Sequence, residues 1–506
     1  MLKKYNLLVA VLGIALTISI SSCRKDRVPM MPEVLTPGPD LNFYALTDDN
    51  KLLMLNAKTP STVTSQVTIS GLQTGENILG IDFRPSTGEL YAVGSTSRIY
   101  VINPRTGASR AISATPFTPA LAAGSVAFDF NPTVDRIRLI TSSGQNLRLN
   151  PETGAVQVVD GTIKGIANAS VTSAAYTMNR AGAATTTLFD IDVVNNKLHR
   201  QDPPNDGGLI EVGSLGYDVD NTGGFDINPD GTSALAAMSV AGKSALFTID
   251  ITTGKASKIG DFAQNITGLA IPTEPVAYAI SANNELLIFN PMATTPTIVA
   301  KAITGIATGE TILGIDMRPL NGQLYALGST SRIYTLNASS GAAVAVGTTV
   351  ISPLLVGTSF GFDFNPTVDR IRIVSNTGQN LRFNPADGIA ITDGPLTTTG
   401  QISGAAYTNN FAGSTATVLF DIDSTNDLLV RQDPPNSGGI VSVGALGVNV
   451  EAANGFDIGS TSNMAYGIFT VAGTQRLYSV NLTTGAATAG ATIGTAARGF
   501  TLGLGF

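Results

Sequence analysis

An internal duplication constrains this sequence more than any other feature does. Three segments occur twice at a nearly constant displacement: residues 80–85 and 314–319, residues 128–138 and 362–372, and residues 200–205 and 431–436. The displacement is 234 residues for the first two pairs and 231 for the third, a difference that a surface loop absorbs. We therefore divide the chain into two tandem copies, at 42–272 and 276–506, with the prolines of 272–275 at the junction.

A shorter period lies inside each copy. Copy one carries a marker aspartate at Asp82, Asp129 and Asp226, and Tyr176 takes the matching place before the last of them. Asp82 and Asp129 are 47 residues apart, and each precedes a turn and then stretches in which apolar and polar residues alternate, as in strands. Four short strands in such a period are typical of one blade of a β-propeller.

Five such units fill one copy. The sequence therefore predicts an all-β protein made of two tandem five-bladed β-propellers, with a single ten-bladed ring as the alternative. The first unit of each copy lacks a strand, at 43–55 in copy one and from residue 277 in copy two. We expect the missing strand from the other end of the same copy, at 266–271 and at 500–506, because this exchange removes an exposed sheet edge.

The first 23 residues have the pattern of an export signal. Lys3 and Lys4 precede an apolar run at 7–20, which is too short for a comfortable membrane span. The run ends in Ile-Ser-Ser-Cys at 20–23, which resembles the lipobox of bacterial lipoproteins. The resemblance implies cleavage before Cys23 and a diacylglycerol on its thiol, so the membrane is an expected partner through this lipid anchor.

The same resemblance predicts where the protein resides. It implies that residues 1–22 are a lipoprotein signal peptide and that residues 23–41, which hold four prolines, form a tether. Arg24 is not the aspartate that retains lipoproteins in the inner membrane, so we expect an exported protein anchored in the outer membrane. The sequence leaves open whether it faces the periplasm or the cell surface.

The repeated segments also resemble a known protein family. The sequences GIDFRP at 80–85, FDFNPTVDRIR at 128–138 and RQDPPN at 200–205, each with its second copy, are similar to those of the exported bacterial domain-of-unknown-function family 4394. The resemblance covers nearly all of 42–506. It implies an exported β-rich protein, and it implies no activity because none is assigned to that family.

The composition argues against several functions. The net charge is −7 and no block of lysine and arginine occurs, so nucleic acid is not an expected partner. The chain has one cysteine, one histidine and no tryptophan. We expect His199 on an exposed strand, and Val430 takes its place in copy two, so neither a zinc site nor a repeated Ser-His-Asp triad is available. We assign no catalytic residue, and an enzyme is less expected than a binding protein.

Polar residues that both copies keep at matching positions are the candidate ligand-binding residues. They would line a groove at the mouth of each ring. The candidates are Arg84, Asp135, Arg136, Arg138, Asn146 and Arg148 in copy one and Arg318, Asp369, Arg370, Arg372, Asn380 and Arg382 in copy two. The alternative explanation for these matching residues is that they form ion pairs that hold surface loops. The marker aspartates are expected instead to tie their strand to the turn that follows it.

Calcium is the one cofactor that the sequence makes possible. Asp218 and Asp220 have the spacing that begins a calcium loop, but Pro229 stands where the closing glutamate would be. Each copy also holds two aspartates on one side of a strand, which could share an ion. These pairs are Asp190 with Asp192 and Asp421 with Asp423. Turn capping by the same carboxylates is favoured over ion binding.

These features favour a non-catalytic binding or scaffolding module of the cell envelope, with an envelope protein or glycan as its partner. The alternative is an extracellular glycan- or peptide-acting hydrolase or lyase that uses carboxylates. A spacer whose rings bind nothing small is the third hypothesis. The scarcity of histidine and tryptophan argues against the enzyme without identifying the ligand.

Overall fold

The chain folds into short antiparallel strands. The computed structural model describes residues 35–398 and 400–506, which hold forty strands and two short 3₁₀ turns. The strands form ten sheets of four strands each, and no α-helix occurs within the described ranges. The predicted all-β class is confirmed.

Copy one contains the first twenty strands and a 3₁₀ turn at Pro204–Asp206. Branched and aromatic residues fill the strands, and Gly, Asn, Asp and Pro fill the turns between them, as their propensities require. The strands are β1 (Asn42–Thr47), β2 (Lys51–Asn56), β3 (Val63–Thr68), β4 (Ile78–Phe83), β5 (Leu90–Gly94), β6 (Arg98–Ile102), β7 (Ser109–Ala111), β8 (Val126–Asn131), β9 (Arg136–Thr141), β10 (Asn146–Leu149), β11 (Val156–Val159), β12 (Val171–Tyr176), β13 (Leu188–Asp192), β14 (Lys197–Gln201), β15 (Leu209–Ser214), β16 (Val219–Ile227), β17 (Ala234–Val240), β18 (Lys243–Ile249), β19 (Ala256–Asp261) and β20 (Ile266–Ala270).

Copy two repeats this order, with its own 3₁₀ turn at Pro435–Ser437. Its strands are β21 (Ala277–Ser281), β22 (Glu285–Phe289), β23 (Val299–Ala302), β24 (Ile312–Arg318), β25 (Gln323–Gly328), β26 (Ile333–Leu336), β27 (Ala343–Ala345), β28 (Phe360–Asn365), β29 (Arg370–Ser375), β30 (Asn380–Phe383), β31 (Ala390–Thr392), β32 (Ile402–Tyr407), β33 (Leu419–Asp423), β34 (Leu428–Gln432), β35 (Ile440–Ala445), β36 (Ala452–Ile458), β37 (Ala465–Val471), β38 (Thr474–Val480), β39 (Ala487–Thr492) and β40 (Ala497–Leu502).

Each sheet is built from strands of one copy. Eight sheets use four consecutive strands, such as β4-β5-β6-β7. The other two take a strand from the far end of their own copy, in the orders β20-β1-β2-β3 and β40-β21-β22-β23. We call each of these the first sheet of its copy and number the other four sheets second to fifth in chain order. Tyr44 pairs with Ala270, and Tyr278 pairs with Thr501, across these two junctions. The chain therefore makes the expected exchange of a strand between the two ends of each copy.

The first strand of every sheet contacts the first strands of its two neighbours. We call these the inner strands, namely β20, β4, β8, β12 and β16 in copy one and β40, β24, β28, β32 and β36 in copy two. The contacts follow this order and return from the last strand to the first. A narrow space of about 20 Å³ in copy one, and of about 10 Å³ in copy two, is lined by residues of all five inner strands. The five sheets of a copy thus share one centre.

The hydrophobic core lies between the faces of neighbouring sheets. Tyr91 of β5 packs edge-to-face on Phe130 of β8 with ring centroids 5.2 Å apart. Tyr325 and Phe364 repeat this contact at 5.1 Å in copy two. Alternation along each strand turns one set of side chains toward each neighbouring sheet, so both faces of a sheet are buried.

The described chain begins before the first strand. Thr36 N–H donates to the carbonyl of Lys258 at 2.7 Å, and Ala57 N–H donates to the carbonyl of Leu41 at 2.9 Å. The last residues of the predicted tether therefore pack on copy one. The predicted signal peptide, the lipidated Cys23 and the tether up to residue 34 lie outside the described residues. Within residues 35–398 and 400–506, no helix is long and apolar enough to cross a membrane.

The exchanged strand β40 should contribute strongly to stability. Phe500 is buried, and its ring lies 6.4 Å from that of Phe289. The substitution Phe500→Ala should lower the free energy of unfolding by about 3–5 kcal/mol, the usual cost of emptying a buried phenylalanine site, as measured by urea denaturation. The control Val344→Ala, at an exposed position, should change it by at most about 0.5 kcal/mol. If both variants unfold like the wild type, β40 does not close copy two.

Candidate functional site

Three buried aspartates of each copy converge where the inner strands meet. Asp82, Asp129 and Asp226 each place a carboxylate oxygen within 4.8 Å of the others. The equivalent group in copy two is Asp316, Asp363 and Asp457. We call these groups the aspartate triads, and all six side chains are buried.

The marker aspartates join neighbouring inner strands. Asp82 Oδ2 accepts the N–H of Phe130 on β8 at 2.8 Å. Asp226 Oδ2 accepts the N–H of Ile271, which directly follows β20, at 2.6 Å. The prediction that these carboxylates tie their strand to the following turn is wrong, because the bonds cross to the next sheet. A carboxylate there satisfies a buried N–H group that would otherwise be costly to leave unpaired.

Asp129 also corrects the alignment of the repeat. Its Oδ1 accepts the N–H of Tyr176 at 3.0 Å, so this N–H takes the role that the N–H of Phe130 takes for Asp82. Ala175, and not Tyr176, therefore occupies the marker position of β12. By the same alignment Ala270 occupies the marker position of β20, because Asp226 accepts the N–H of the next residue, Ile271. Two of the five inner strands of copy one therefore lack the aspartate, and three carboxylates remain.

Burial changes the protonation of the triads. Burial, and then repulsion from Asp226, raises the pKa of Asp82 well above its ordinary value. Burial likewise raises the pKa of Asp226 from 3.8 to about 7 and that of Asp457 to about 6. The triads could hold a metal ion, since three carboxylate oxygens converge in each. The same carboxylates already accept backbone N–H groups, which is a structural use that requires no ion.

The predicted calcium candidates lie apart from the triads. Asp218 Oδ1 accepts a hydrogen bond from Asn196 Nδ2 at 3.0 Å. Asp220 Oδ2 accepts the N–H of Gly242 at 2.8 Å. Both side chains are exposed, and neither belongs to a group of three carboxylates within the described residues. A calcium loop at these two positions stays a prediction.

His199 belongs to a buried polar cluster on the fourth sheet. It is completely buried, contrary to the expected exposed position, because it lies on a middle strand whose face packs against the third sheet. Its Nε2 lies 3.1 Å from Asp192 Oδ2. Asp192 Oδ1 also accepts the N–H groups of Ser170 and Val194, which is turn capping. Asp190 makes no hydrogen bond to a described residue, and burial raises its pKa to about 8.

In each copy, two of the candidate ligand-binding residues form an ion pair with each other. Arg84 Nε and Nη2 donate to the two carboxylate oxygens of Asp135 at 2.9 and 2.6 Å, and Arg318 binds Asp369 in the same bidentate way. The Arg84 side chain is 1% exposed and that of Arg318 is 15% exposed. Copy two covers Arg84, whose Nη1 donates to the carbonyl of Gly322 at 3.4 Å. The copy-one pair is therefore inaccessible to a ligand.

Arg138, Asn146 and Arg148 of copy one meet between the third and fourth sheets, whereas the candidate Arg136 donates from Nε to Gln157 Oε1. Arg138 Nη1 donates to Asn146 Oδ1 at 2.8 Å and to Asp160 Oδ2 at 2.6 Å. Arg138 Nη2 donates to Asn205 Oδ1 at 2.8 Å, and Arg148 Nε donates to Asp160 Oδ2 at 2.7 Å. These bonds hold the loop of one sheet to the strands of the next, as the ion-pair explanation requires.

Copy two repeats this network beside an open space. Asn380 and Asp393 accept hydrogen bonds from Arg372, and Asp393 also pairs with Arg382. A cavity of about 210 Å³ adjoins the network, and Arg370 lines it together with Arg372 and Arg382. The structure thus gathers the predicted residues into two clusters per copy, and their role in ligand binding stays a prediction.

A larger cavity lies between the two copies. Its volume is about 660 Å³. Its walls come from the first and second sheets of copy one, the connection at 272–276, and the segments 411–413, 460–461 and 503–506 of copy two. We call it the inter-copy cleft. Ligand sites of proteins favour such crevices between domains.

The inter-copy cleft combines aromatic rings with charges of both signs. Glu89 Oε1 lies 3.8 Å from Arg110 Nη2, while Glu89 Oε2 is buried without a hydrogen bond to a described residue. Burial raises the pKa of Glu89 above its ordinary value. Arg105 and Glu274 are exposed at the cleft and form no ion pair with a described residue. The aromatic lining is Tyr44, Phe83, Phe411 and Phe506.

Direct bonds between the copies fix the walls of the cleft. Tyr278 O–H donates to the carbonyl of Ser86 at 2.9 Å, and Gly505 N–H donates to the carbonyl of Thr87 at 2.7 Å. Repeat analysis predicts none of these residues, because a cleft between copies depends on how the copies pack and not on the pattern within each. The one available signal is the proline-rich junction at 272–275, which lines the cleft.

Comparison with known proteins adds a family and no activity. Residues 51–270 and 285–502 each match the family described as a domain of unknown function, DUF4394. Two tandem matches confirm the predicted duplication and the predicted family resemblance. Among curated proteins no match is found.

The raised pKa of Asp226 predicts a pH-dependent stability. Between the unfolded pKa near 4 and the folded pKa of about 7, the native state binds the extra proton. The free energy of unfolding should therefore decrease as pH rises through this window, by about 1.4 kcal/mol per unit of pKa difference. Asp226→Asn keeps one acceptor oxygen and removes the titration. Urea denaturation of both proteins with EDTA should show the wild type losing stability relative to the variant as pH rises. If the free energies of unfolding of the two proteins change with pH in parallel, Asp226 is not a buried carboxyl group that binds a proton on folding.

Proposed function

We propose a binding function for this chain, which belongs to the DUF4394 family and carries its domain twice. In this proposal it is a non-catalytic binding or scaffolding module of the cell envelope. The inter-copy cleft receives the ligand, and the two copies are the rigid bodies that form its walls.

We propose that each copy is a five-bladed β-propeller. Four-stranded antiparallel sheets, a cyclic order of contacts among five inner strands, and a strand exchanged between the ends of each copy all support this architecture. The alternative of one ten-bladed ring would require β20 to pair with the first sheet of copy two. Its pairing with β1 instead favours two separate rings.

We propose further that the protein is exported and held at the outer membrane by a lipid on Cys23. The lipobox-like sequence at 20–23 supports this location. The proline-containing segment that follows would separate the two copies from the membrane surface. A ligand of the cleft is then a component of the envelope or of its surroundings.

The observation that carries the binding proposal is the size and lining of the inter-copy cleft. A volume of about 660 Å³ lies within the range of small-molecule sites, about 300–1,000 Å³. Aromatic rings offer apolar contact, while the exposed side chains of Arg105 and Glu274 offer charged contacts at the entrance. This combination suits a short glycan or peptide segment with an apolar body and polar ends.

One observation favours the alternative hydrolase or lyase. Glu89, whose pKa is raised by burial, and the exposed Glu274 line the same cleft. A glycosidase uses two carboxyl groups, one as the acid and the other as base or nucleophile. Turnover of a polysaccharide or peptide that is abolished by Glu89→Gln would establish this alternative. The binding proposal expects no turnover.

A cleft-filling variant tests the binding proposal. Ala412 lines the cleft, so Ala412→Trp should fill part of it. The probes are a glycan array and a set of purified peptidoglycan fragments. We expect at least one class of probe to bind the wild type. Ala412→Trp should bind this probe at least about tenfold more weakly, because the added side chain blocks contact with the aromatic lining of the cleft. Thr294→Trp, at an exposed turn outside the cleft, should bind like the wild type. If no probe binds the wild type, or if Ala412→Trp and Thr294→Trp bind the probe with equal affinity, the cleft is not the binding site.

A further inference from the structure

The cavity of copy two beside the arginine network differs from the inter-copy cleft in both place and chemistry. It lies between the third and fourth sheets of copy two, and its volume is about 210 Å³. One water molecule occupies about 30 Å³ of liquid, so the space exceeds that of a single bridging water. Three arginines line it, Arg370, Arg372 and Arg382, with Tyr407 and Asn436.

The cavity has an excess of positive charge. Arg372 Nη1 and Arg382 Nε share one carboxylate, at 2.7 and 2.6 Å from Asp393 Oδ2. Arg370 donates to the backbone carbonyls of Val368 and Asp369 and forms no ion pair with a described residue. The residues that line the cavity thus include three guanidinium groups and no carboxylate, an arrangement that favours an anion in this space.

The arginine side chains are held in place, but some of their N–H groups make no hydrogen bond to a described residue. Arg372 is 2% exposed and is fixed by Asn380, Asp393, Asn436 and Tyr407. An arginine carries five N–H groups, and those on Arg382 Nη1 and on Arg370 Nε and Nη2 make no hydrogen bond to a described residue. Planar guanidinium groups match the geometry of oxyanions, and fixed donors lose little entropy on binding.

Copy one has lost this arrangement. Arg136, the counterpart of Arg370, donates from Nε to Gln157 Oε1. Gln157 is an extra residue at a bulge of β11 that copy two lacks, since β31 pairs with β30 without a bulge. Asp206 stands beside Asn205 where copy two has Ser437, so copy one also carries an additional carboxylate there. The Nε–H of Arg136 is thus bonded to a side chain, whereas the Nε–H of Arg370 makes no hydrogen bond to a described residue.

We propose that the cavity lined by Arg370, Arg372 and Arg382 binds a tetrahedral oxyanion, phosphate or the phosphate group of a larger envelope molecule, and that copy one does not. The cavity accommodates the anion together with part of the group that bears it. This site is independent of the ligand proposed for the inter-copy cleft.

Calorimetric titration of the full-length protein tests the site, with inorganic phosphate and glycerol phosphate as separate probes. We expect one saturable site per chain that weakens as salt increases. Tighter binding of glycerol phosphate would identify a phosphate monoester as the ligand, and equal binding would identify free phosphate. Ala412→Trp, which fills the inter-copy cleft, should leave this affinity unchanged, so failure of one proposal does not affect the other.

Matched variants in the two copies make the test specific. Arg370→Ala should weaken phosphate binding by about tenfold or more, because hydrogen bonds to a charged group are lost, and Arg370→Lys should restore part of it. Ser437→Asp, which imitates copy one at an exposed position, should also weaken it. Arg136→Ala should have no effect. Absence of saturable binding, or an equal loss in Arg136→Ala and Arg370→Ala, would overturn the proposal. Thermal unfolding of each variant verifies that the fold is intact.

Discussion

The fold depends on a buried carboxylate that accepts a backbone N–H from the neighbouring sheet. Asp82 does this for Phe130, Asp129 for Tyr176 and Asp226 for Ile271. The bond runs from one inner strand to the next and so connects sheets that share no strand pairing. Where the aspartate is absent, at Ala175 of β12, hydrophobic packing and a hydrogen bond from Thr222 Oγ1 to Thr172 Oγ1 at 2.8 Å connect β12 to β16 instead. The inner strands bring the three carboxyls within 4.8 Å of one another, and both burial and the repulsion between them favour the protonated form.

The arginine networks form a second layer of connections between sheets, and here the copies have diverged. Arg84 is enclosed by copy two, whereas its counterpart Arg318 remains partly exposed. Arg136 donates to the Gln157 side chain, whereas Arg370 donates to the backbone carbonyls of Val368 and Asp369. One duplicated framework therefore supports closed ion pairs in copy one and an open, positively charged cavity in copy two. Duplication allows such divergence because each copy retains its own core.

Much of the fold was predictable from the sequence, and the sites were less so. Repeated segments and alternation predict the strands, and the incomplete first unit predicts the exchange of β20 and β40. The partner of each marker aspartate could not be predicted, because a repeat reveals equivalent positions but not which neighbouring strand a side chain contacts. The prediction of an exposed His199 is wrong for a similar reason, because alternation along a strand does not reveal that both faces of its sheet are covered. The inter-copy cleft depends on packing between copies, which no repeat within a copy encodes.

Amide hydrogen exchange tests most directly whether these carboxylates hold the sheets together. The relevant N–H groups are those of Phe130, Tyr176 and Ile271 in copy one, which lie on or next to inner strands. If the carboxylates carry the connection, these amides exchange only on global unfolding, and Asp82→Ala selectively accelerates exchange at Phe130. Exchange at Phe130 that is as fast as in exposed turns, or that is unchanged in Asp82→Ala, would contradict the account.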